Sequence, residues 1–336
     1  MPPYPASDRL QFVYRGGFRC GQTSPSGLPP QGATFAPIIA IVWTNFPFHP
    51  SGSYNLAVII DFHTHIFPPQ VIERRVDFLS QDPTFAEMYS NAKAKLASAD
   101  DLLRSMDEAG VDISVAQGFA WRNEQACVQH NDYLLESAAN SRGRIVPFCT
   151  VNLVESGAAA EIARCAGAGA RGIGELRPDS QGWDLNGERG AILAELAARH
   201  GLVLLFHVTE PGGHEYAGKA GLSLGAFFRF AVVHPELTVV GAHFAGGLPT
   251  AMSKSRAMPQ GLHADTAARR YLYPGAIYSD VSARWGADRL LFGSDFPLIS
   301  QASQIADVRA HVTDESVQLL ILGKNAAHLL GLTDGE

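Results

Sequence analysis

The chain has 336 residues, of which 46% are hydrophobic and 18% are charged, and it carries a net charge of -7. This composition is typical of a globular protein, and the acidic balance argues against non-specific nucleic-acid binding, which requires a basic face. The longest apolar run, residues 38–43, is far shorter than the roughly 20 residues that span a bilayer, so we expect no membrane segment.

Residues 1–57 differ in composition from the rest of the chain. Prolines recur through this stretch among glycines and serines, without a sustained period of 2 or 3.6. Each proline removes a backbone donor and restricts the residue before it, so regular elements are disfavoured. We expect a disordered extension here, or sequence upstream of the true translation start, because the run at residues 58–63 looks like the natural beginning of a first strand.

From residue 58 onward, short apolar or β-rich runs alternate with helical stretches. Several runs are apolar throughout, as expected for parallel strands that are buried on both faces. The predicted strands are 58–63, 111–117, 144–151, 170–176, 202–207, 237–243, 262–266 and 289–294. Eight such alternations in residues 58–332 predict a single (β/α)8 TIM-barrel domain. The competing architecture is a doubly wound open sheet.

One long segment interrupts the alternation. Residues 66–98 lie between the first strand and its helix, and they carry helix-like sequence at 73–79 and 85–96. A βα loop of this length is unusual. We therefore predict a helical insertion that covers the mouth of the barrel as a lid.

The strongest local motif is His63-Thr64-His65 at the end of the first predicted strand. Side chains alternate along a strand, so the two imidazoles point to the same side and can bind one cation together. Three further ligand types end apolar strands: His207, His243 and Asp295. Strand ends form the active-site face of a barrel, and a shared cation would compensate all five buried polar groups. The sequence therefore predicts a divalent metal centre.

This arrangement resembles the amidohydrolase superfamily. The segments AHFAGG at 242–247, LFGSDFP at 291–297 and GKNAAHLLGL at 323–332 are similar to the branch that contains aminocarboxymuconate-semialdehyde decarboxylase and many metal-dependent hydrolases. The resemblance covers residues 58–332. It implies one or two divalent ions, with zinc expected, held by His63, His65, His207 and Asp295. Asp295 would also carry a proton, and His243 would bind a second metal or act as an acid/base at the substrate.

Glu175 ends the fourth predicted strand, in the sequence Gly-Ile-Gly-Glu-Leu. In binuclear relatives this strand supplies a bridging carboxylate. We weigh that role equally with one in which Glu175 accepts a hydrogen bond from a ligand histidine. Glu175 also departs from the pattern expected of the decarboxylases, which favours hydrolysis.

Substrate contacts are predicted around the same mouth. The loop after the fifth strand carries His214, Tyr216 and Lys219, which suit an anion or an amide. Arg177 could pair with a carboxylate, and Asp265, near the end of the seventh strand, could orient a ligand or contact substrate. We read the remaining histidines, including His130, as surface or capping residues.

Three functions are compatible with these patterns. Our first expectation is a hydrolase that attacks an amide, lactone or related carbonyl of a small molecule with metal-activated water. The alternative is a non-oxidative decarboxylase of an aromatic or unsaturated carboxylic acid, and the third is a metal-binding protein without turnover. The four cysteines, which lack CxxC spacing, indicate a cytoplasmic protein with reduced thiols. A dimer is common among relatives, and we expect no nucleic-acid partner.

Overall fold

The structure is a computed structural model that describes residues 58–212, 215–219, 221–252 and 258–332. The predicted extension, residues 1–57, lies outside the described residues. Within them, none of the helices combines the length and apolar character needed to cross a membrane. Cys127, Cys149 and Cys165 are buried and free.

Eight parallel strands form one sheet in the order of the chain, which confirms the predicted barrel. The strands are β1 (Ile60–His65), β2 (Ile113–Gln117), β3 (Ile145–Cys149), β4 (Gly172–Leu176), β5 (Val203–Phe206), β6 (Val239–Gly241), β7 (Leu262–Asp265) and β8 (Leu290–Leu291). The segment after β8 closes the cylinder against β1. The amide of Phe62 donates to the carbonyl of Phe292 at 2.7 Å, and that of His65 to the carbonyl of Phe296 at 2.7 Å.

Helices surround the sheet and connect successive strands. They are α1 (Pro69–Glu73), α2 (Arg75–Gln81), α3 (Pro83–Tyr89), α4 (Ala99–Ala109), α5 (Glu124–Asn140), α6 (Ala158–Gly167), α7 (Pro178–Gln181), α8 (Glu188–His200), α9 (Leu224–Val233), α10 (Ala242–Gly246), α11 (Leu248–Ala251), α12 (Arg269–Leu272), α13 (Ile277–Trp285), α14 (Gln301–His311), α15 (Glu315–Leu319) and α16 (Asn325–Leu329).

The insertion consists of α1, α2 and α3 and is helical as predicted, but its last helix spans 83–89 instead of 85–96. Asp82 causes the earlier start, because its side chain accepts hydrogen bonds from the amides of Thr84 and Phe85. Pro83 occupies the first helical position, where its missing donor costs nothing. A packed aromatic cluster holds the insertion, and within it Phe85 stacks on Trp121 with ring centroids 5.0 Å apart.

The barrel interior is filled by apolar side chains along the strands and by polar side chains at their carboxyl ends. Six strands supply one buried apolar cluster, which includes Phe62, Val115, Phe148, Leu205 and Leu291. The register of β1 against β2 shifts between Asp61 and Thr64. Such a bulge changes the direction in which side chains point. Phe62 can therefore join the apolar cluster while the next residue, His63, belongs to the polar centre at the carboxyl ends of the strands. A second shift, in β4, lies between Ile173 and Leu176 and includes Glu175.

The junction of β1 and β8 is tightly built. The buried carboxylate of Asp61 accepts hydrogen bonds from the Ser294 hydroxyl at 2.6 Å and from the Ser294 amide at 2.9 Å. Beside it, a Cβ atom on Gly293 would lie 2.9 Å from Cβ of His63. Glycine is therefore required for this close approach of the two strands.

Candidate metal centre

The four predicted histidines meet at the carboxyl ends of their strands. His63 and His65 end β1, His207 directly follows β5, and His243 follows β6. Nε2 of His63 lies 3.0 Å from Nε2 of His65. On the other side, Nε2 of His243 lies 3.4 Å from Nδ1 of His207. All four histidines are buried, with at most 8% of each residue exposed.

Two carboxylates complete this centre. Asp295 Oδ1 lies 3.5 Å from Nε2 of His65 and 3.8 Å from Nε2 of His63. Glu175 lies between the two pairs of histidines. Its Oε2 is 3.5 Å from Nε2 of His65, and its Oε1 is 2.8 Å from Nδ1 of His207. Two groups of three side chains could therefore hold a metal ion, and they share Glu175: His63, His65 and Glu175, and Glu175, His207 and His243.

Local backbone geometry aims two of these side chains. His243 has φ of 57° in α10, and Asp295 has φ of 62° in the loop after β8. Both values lie in the left-handed region, which is uncommon for residues other than glycine and concentrates at functional sites. The amide of Asp295 donates to the carbonyl of His63 at 2.9 Å, which fixes the loop against β1.

The outer nitrogens of three imidazoles face oxygen acceptors. Nδ1 of His63 lies 2.8 Å from Oδ2 of Asp265, and Nδ1 of His243 lies 3.3 Å from the carbonyl of Ala267. Nε2 of His207 lies 3.0 Å from the carbonyl of Gly218. Carbonyl and carboxylate oxygens accept, so the outer nitrogen of a ligand histidine can keep its proton while a cation bound at the centre would take the lone pair of the inner nitrogen. Lone pairs of imidazole and carboxylate that face one another at 2.8–3.8 Å fit a bound cation, and such outer acceptors are typical of metal-ligating histidines.

The charges of the pocket also favour a cation. Burial would lower the pKa of His63, but the Asp265, Glu175 and Asp295 carboxylates raise it to about 10. Burial would likewise raise the pKa of Asp295, yet its hydrogen bond with His65 and the charges of the surrounding histidines lower it to about 2. Around His63 the pocket thus stabilises positive charge against the cost of desolvation, whereas at His207 burial lowers the pKa.

The remaining predicted site residues have varied positions. Asp265 contacts His63 directly, so of its two predicted roles the orientation of a ligand is the one its position suits. Arg177, just beyond β4, is 3% exposed and contacts Glu87 of the insertion. Tyr216 donates to Oε2 of Glu210 at 3.1 Å, and Nζ of Lys219 lies 3.9 Å from Oε1 of the same residue. His214 lies outside the described residues, and substrate contact by these side chains stays a prediction.

One expectation about the histidines is wrong. His130 is neither on the surface nor a cap, since only 1% of it is exposed. Its Nε2 donates to the carbonyl of Ile66 at 2.7 Å, and its Nδ1 accepts from Nε1 of Trp121 at 3.0 Å. It therefore ties α5 to the segment that follows the two histidines of β1. Its place in a helix gave no sign of these distant partners.

The sequence also missed two acidic residues near the mouth. Glu87 lies on α3 and reaches Arg177, and Asp61 joins β1 to the segment after β8. Asp61 is part of the Asp-Phe-His-Thr-His motif, so its position two residues before His63 was a usable signal. Nothing in the sequence near Glu87 indicates a contact 90 residues away.

The fold and the centre together define a (β/α)8 barrel with a candidate divalent metal site at the carboxyl ends of its strands. The family profile described as amidohydrolase matches residues 60–332. The chain belongs to this family. A search of curated proteins finds no match.

Several solved structures share the fold. The 5-carboxyvanillate decarboxylase of Novosphingobium aromaticivorans, complexed with manganese and a nitrobenzoic acid, is 15% identical with a TM-score of 0.67, covering 84% of this chain and 98% of that one. The 2,6-dihydroxybenzoate decarboxylase of Rhizobium is 18% identical with a TM-score of 0.62, covering 82% and 99%. A probable 2-pyrone-4,6-dicarboxylic acid hydrolase of Acinetobacter baumannii is 14% identical with a TM-score of 0.55, covering 81% and 99%.

Proposed function

We propose that this chain is a metal-dependent decarboxylase that removes carbon dioxide from a small aromatic or unsaturated carboxylic acid without oxidation. The observation that carries the proposal is the convergence of four buried imidazoles and two carboxylates around one point at the barrel mouth. The preference for decarboxylation over hydrolysis rests on the decarboxylases that share the fold at higher TM-scores than the hydrolase. This reverses the order of the two functions expected from the sequence.

The cation would be held by His63, His65, His207 and Asp295, with Glu175 and His243 adjacent. When bound, it supplies a Lewis acid that draws electron density from the oxygens of the substrate. Zinc was expected from the sequence, and manganese is bound in the 5-carboxyvanillate decarboxylase. Imidazole and carboxylate donors suit both ions, so the identity of the metal is part of the proposal.

The chain's own residues would manage the proton. When the carbon–carboxylate bond breaks, its electron pair stays on the substrate carbon, and a proton must reach that carbon as carbon dioxide leaves. We assign this delivery to Nε2 of His243, which faces the centre. Burial would lower the pKa of His243, but its hydrogen bond with Glu175 and the charge of Asp295 raise it, which favours a protonated donor. Asp295 would return a proton from solvent to the site.

The substrate side of the proposal uses the cationic and hydrogen-bonding groups at the mouth. Arg177 is a buried guanidinium beside the centre, and guanidinium forks bind carboxylates well. Tyr216, Lys219 and His214 belong to the loop that follows β5 and supply further donors. These four residues are proposed to contact an anionic substrate.

Hydrolysis is the second candidate, because one observation favours it. The two oxygens of Glu175 face different pairs of histidines, with Oε2 3.5 Å from Nε2 of His65 and Oε1 3.6 Å from Nε2 of His243. A carboxylate in this position can bridge two cations, and a pair of metals suits attack by activated water on an amide or lactone.

Metal analysis of the purified full-length protein, combined with a substrate panel, separates these functions. One metal per chain, with carbon dioxide released from aromatic or unsaturated acids, supports the decarboxylase. Two metals per chain, one of which is lost in Glu175→Gln, together with turnover of amides or lactones, would replace it with the hydrolase. Full metal loading without turnover on either panel would support a metal-binding protein without catalytic activity.

Light scattering on the same sample tests the expected homodimer, and fractionation of the source cells tests the expected cytoplasmic location.

A further inference from the structure

The third helix of the insertion, α3, reaches the barrel mouth through its carboxyl-terminal residues. Oε1 of Glu87 lies 3.2 Å from Nη2 of Arg177, and Oε2 lies 3.4 Å from Nη1. The Arg177 side chain is 2% exposed, whereas that of Glu87 is 34% exposed. A buried guanidinium requires a compensating charge, and the insertion provides one.

The same guanidinium contacts the loop that follows β5. Nη2 of Arg177 donates to the carbonyl of Gly218 at 3.0 Å. Nε2 of His207 donates to this carbonyl at 3.0 Å as well. The Gly218 oxygen therefore receives two hydrogen bonds, one from a charged side chain and one from a candidate metal ligand.

The Gly218 contact decides which nitrogen of His207 faces the centre. A carbonyl only accepts, so Nε2 donates its proton to Gly218, and a cation bound at the centre would take the lone pair of Nδ1, which otherwise faces the Glu175 carboxylate. Nδ1 points to Glu175 Oε1 at 2.8 Å and to Nε2 of His243 at 3.4 Å. Movement of Gly218 would thus release the ring of His207 from the orientation suited to a cation.

The insertion also fixes Gly218 from a second direction. Gly218 is buried with φ of 86°, and a Cβ atom there would lie 2.1 Å from Sδ of Met88. The neighbouring residues Glu87 and Met88 therefore hold the same loop, one through Arg177 and the other by close packing.

From this geometry we infer that Glu87 is a positioning residue for His207, acting through Arg177 and the Gly218 carbonyl, so that the insertion is needed to complete the metal centre. The inference rests on the proposed metal centre for its functional meaning. Its structural content, the fixed orientation of the His207 ring, is independent of any bound ion and can be measured without one.

The test compares Glu87→Ala and Glu87→Gln with a control, Glu73→Ala, in the full-length protein. Glu73 lies on α1 of the same insertion and is exposed. In metal-free, ¹⁵N-histidine-labelled protein, the Nε2–H signal of His207 and its exchange with water report the hydrogen bond to Gly218, and the signal is assigned by its loss in His207→Gln. We expect Glu87→Ala to shift this signal and to speed its exchange with water, Glu87→Gln to do so less because its amide oxygen still accepts, and Glu73→Ala to match the wild type.

Manganese and zinc affinity, measured by competition with a chelator, provides the second readout. Loss of outer partners of ligand histidines weakens metal binding about 10- to 100-fold, and we expect about tenfold for Glu87→Ala. Ring signals and affinities equal to those of Glu73→Ala would overturn the inference. If the wild type binds neither ion, the proposed function fails, and the Nε2–H signal of His207 still decides the role of Glu87.

Discussion

Oδ2 of Asp265 lies 2.8 Å from Nδ1 of His63, although 202 positions separate the two residues in the chain. The other oxygen of Asp265 accepts the backbone amides of His243 at 2.9 Å and Ala267 at 3.0 Å. One buried carboxylate thus connects β1, β7 and the turn after β6. It accepts the proton of the outer nitrogen of His63, so that the inner nitrogen is the one a cation would bind.

We predict that Asp265→Asn weakens metal binding by about 10- to 100-fold, because the amide group cannot both accept the two backbone donors and accept from His63. Chelator competition with zinc and manganese measures the change. Asp179→Asn serves as the control, since Asp179 is exposed on α7. Equal affinities in the two variants would contradict the orienting role of Asp265.

Asp295→Asn is expected to reduce turnover of an identified substrate by about 10²- to 10⁴-fold, because the amide cannot take up and release a proton. Steady-state kinetics and metal content are measured on the same preparation, so that loss of the ion is distinguished from loss of proton transfer. The exposed Asp288 provides a matched control, Asp288→Asn. Wild-type turnover in Asp295→Asn would exclude the proton role.

His130 should make folding sensitive to acid. Burial lowers the pKa of His130 to about 4, so the folded state keeps it neutral while the unfolded chain binds a proton below about pH 6.5. Its contribution to stability is complete above pH 6.5 and is lost as the pH falls towards 4, by on the order of 3 kcal/mol.

Urea unfolding at pH 7 and pH 4.5 tests this prediction by comparing the wild type with His130→Gln. Glutamine does not titrate, so the free energy of unfolding should fall less in the variant as the pH is lowered. Equal decreases in the free energy of unfolding of the two proteins would show that His130 does not contribute to the pH dependence.

The aromatic cluster under the insertion should be a major source of local stability. Phe85 is fully buried, and its ring lies 4.8 Å from that of Tyr89 and 5.0 Å from that of Trp121. Phe85→Ala should cost about 3–5 kcal/mol of unfolding free energy. Val76→Ala, at a position that is 76% exposed, should change the free energy of unfolding by no more than about 0.5 kcal/mol. Urea unfolding measures both, and a small effect of Phe85→Ala would mean that the insertion is loosely packed.

The barrel was predictable because buried parallel strands are recognisable in the sequence as short apolar runs. Apolar runs such as 202–206 and 290–292 indicate buried strands; His207 follows the first directly, and Asp295 follows the second after Gly293 and Ser294. Their convergence follows from topology alone, because all strand ends of a barrel meet at one mouth. The start of α3 also had a readable signal in Asp82 and Pro83, although it was placed two residues late.

Other features depended on tertiary contacts that no local pattern records. The sequence left open whether Glu175 bridges or supports a ligand, and the structure places its two oxygens toward different histidine pairs. The shift in β4 that accompanies this position is a property of strand pairing. His130 was misjudged for the same reason, because its partners Ile66 and Trp121 come from other segments.

The close approach at Gly293 has a consequence for how the centre can adapt. His63 belongs to the first strand of the barrel and Asp295 follows the last, and these two strands meet where no side chain intervenes. The spacing of these two donors is therefore set when the cylinder closes, before any ligand arrives. Glu175 and His207 belong to separate strands joined to their own loops, so adjustment to a different ion or substrate should occur on that side of the mouth.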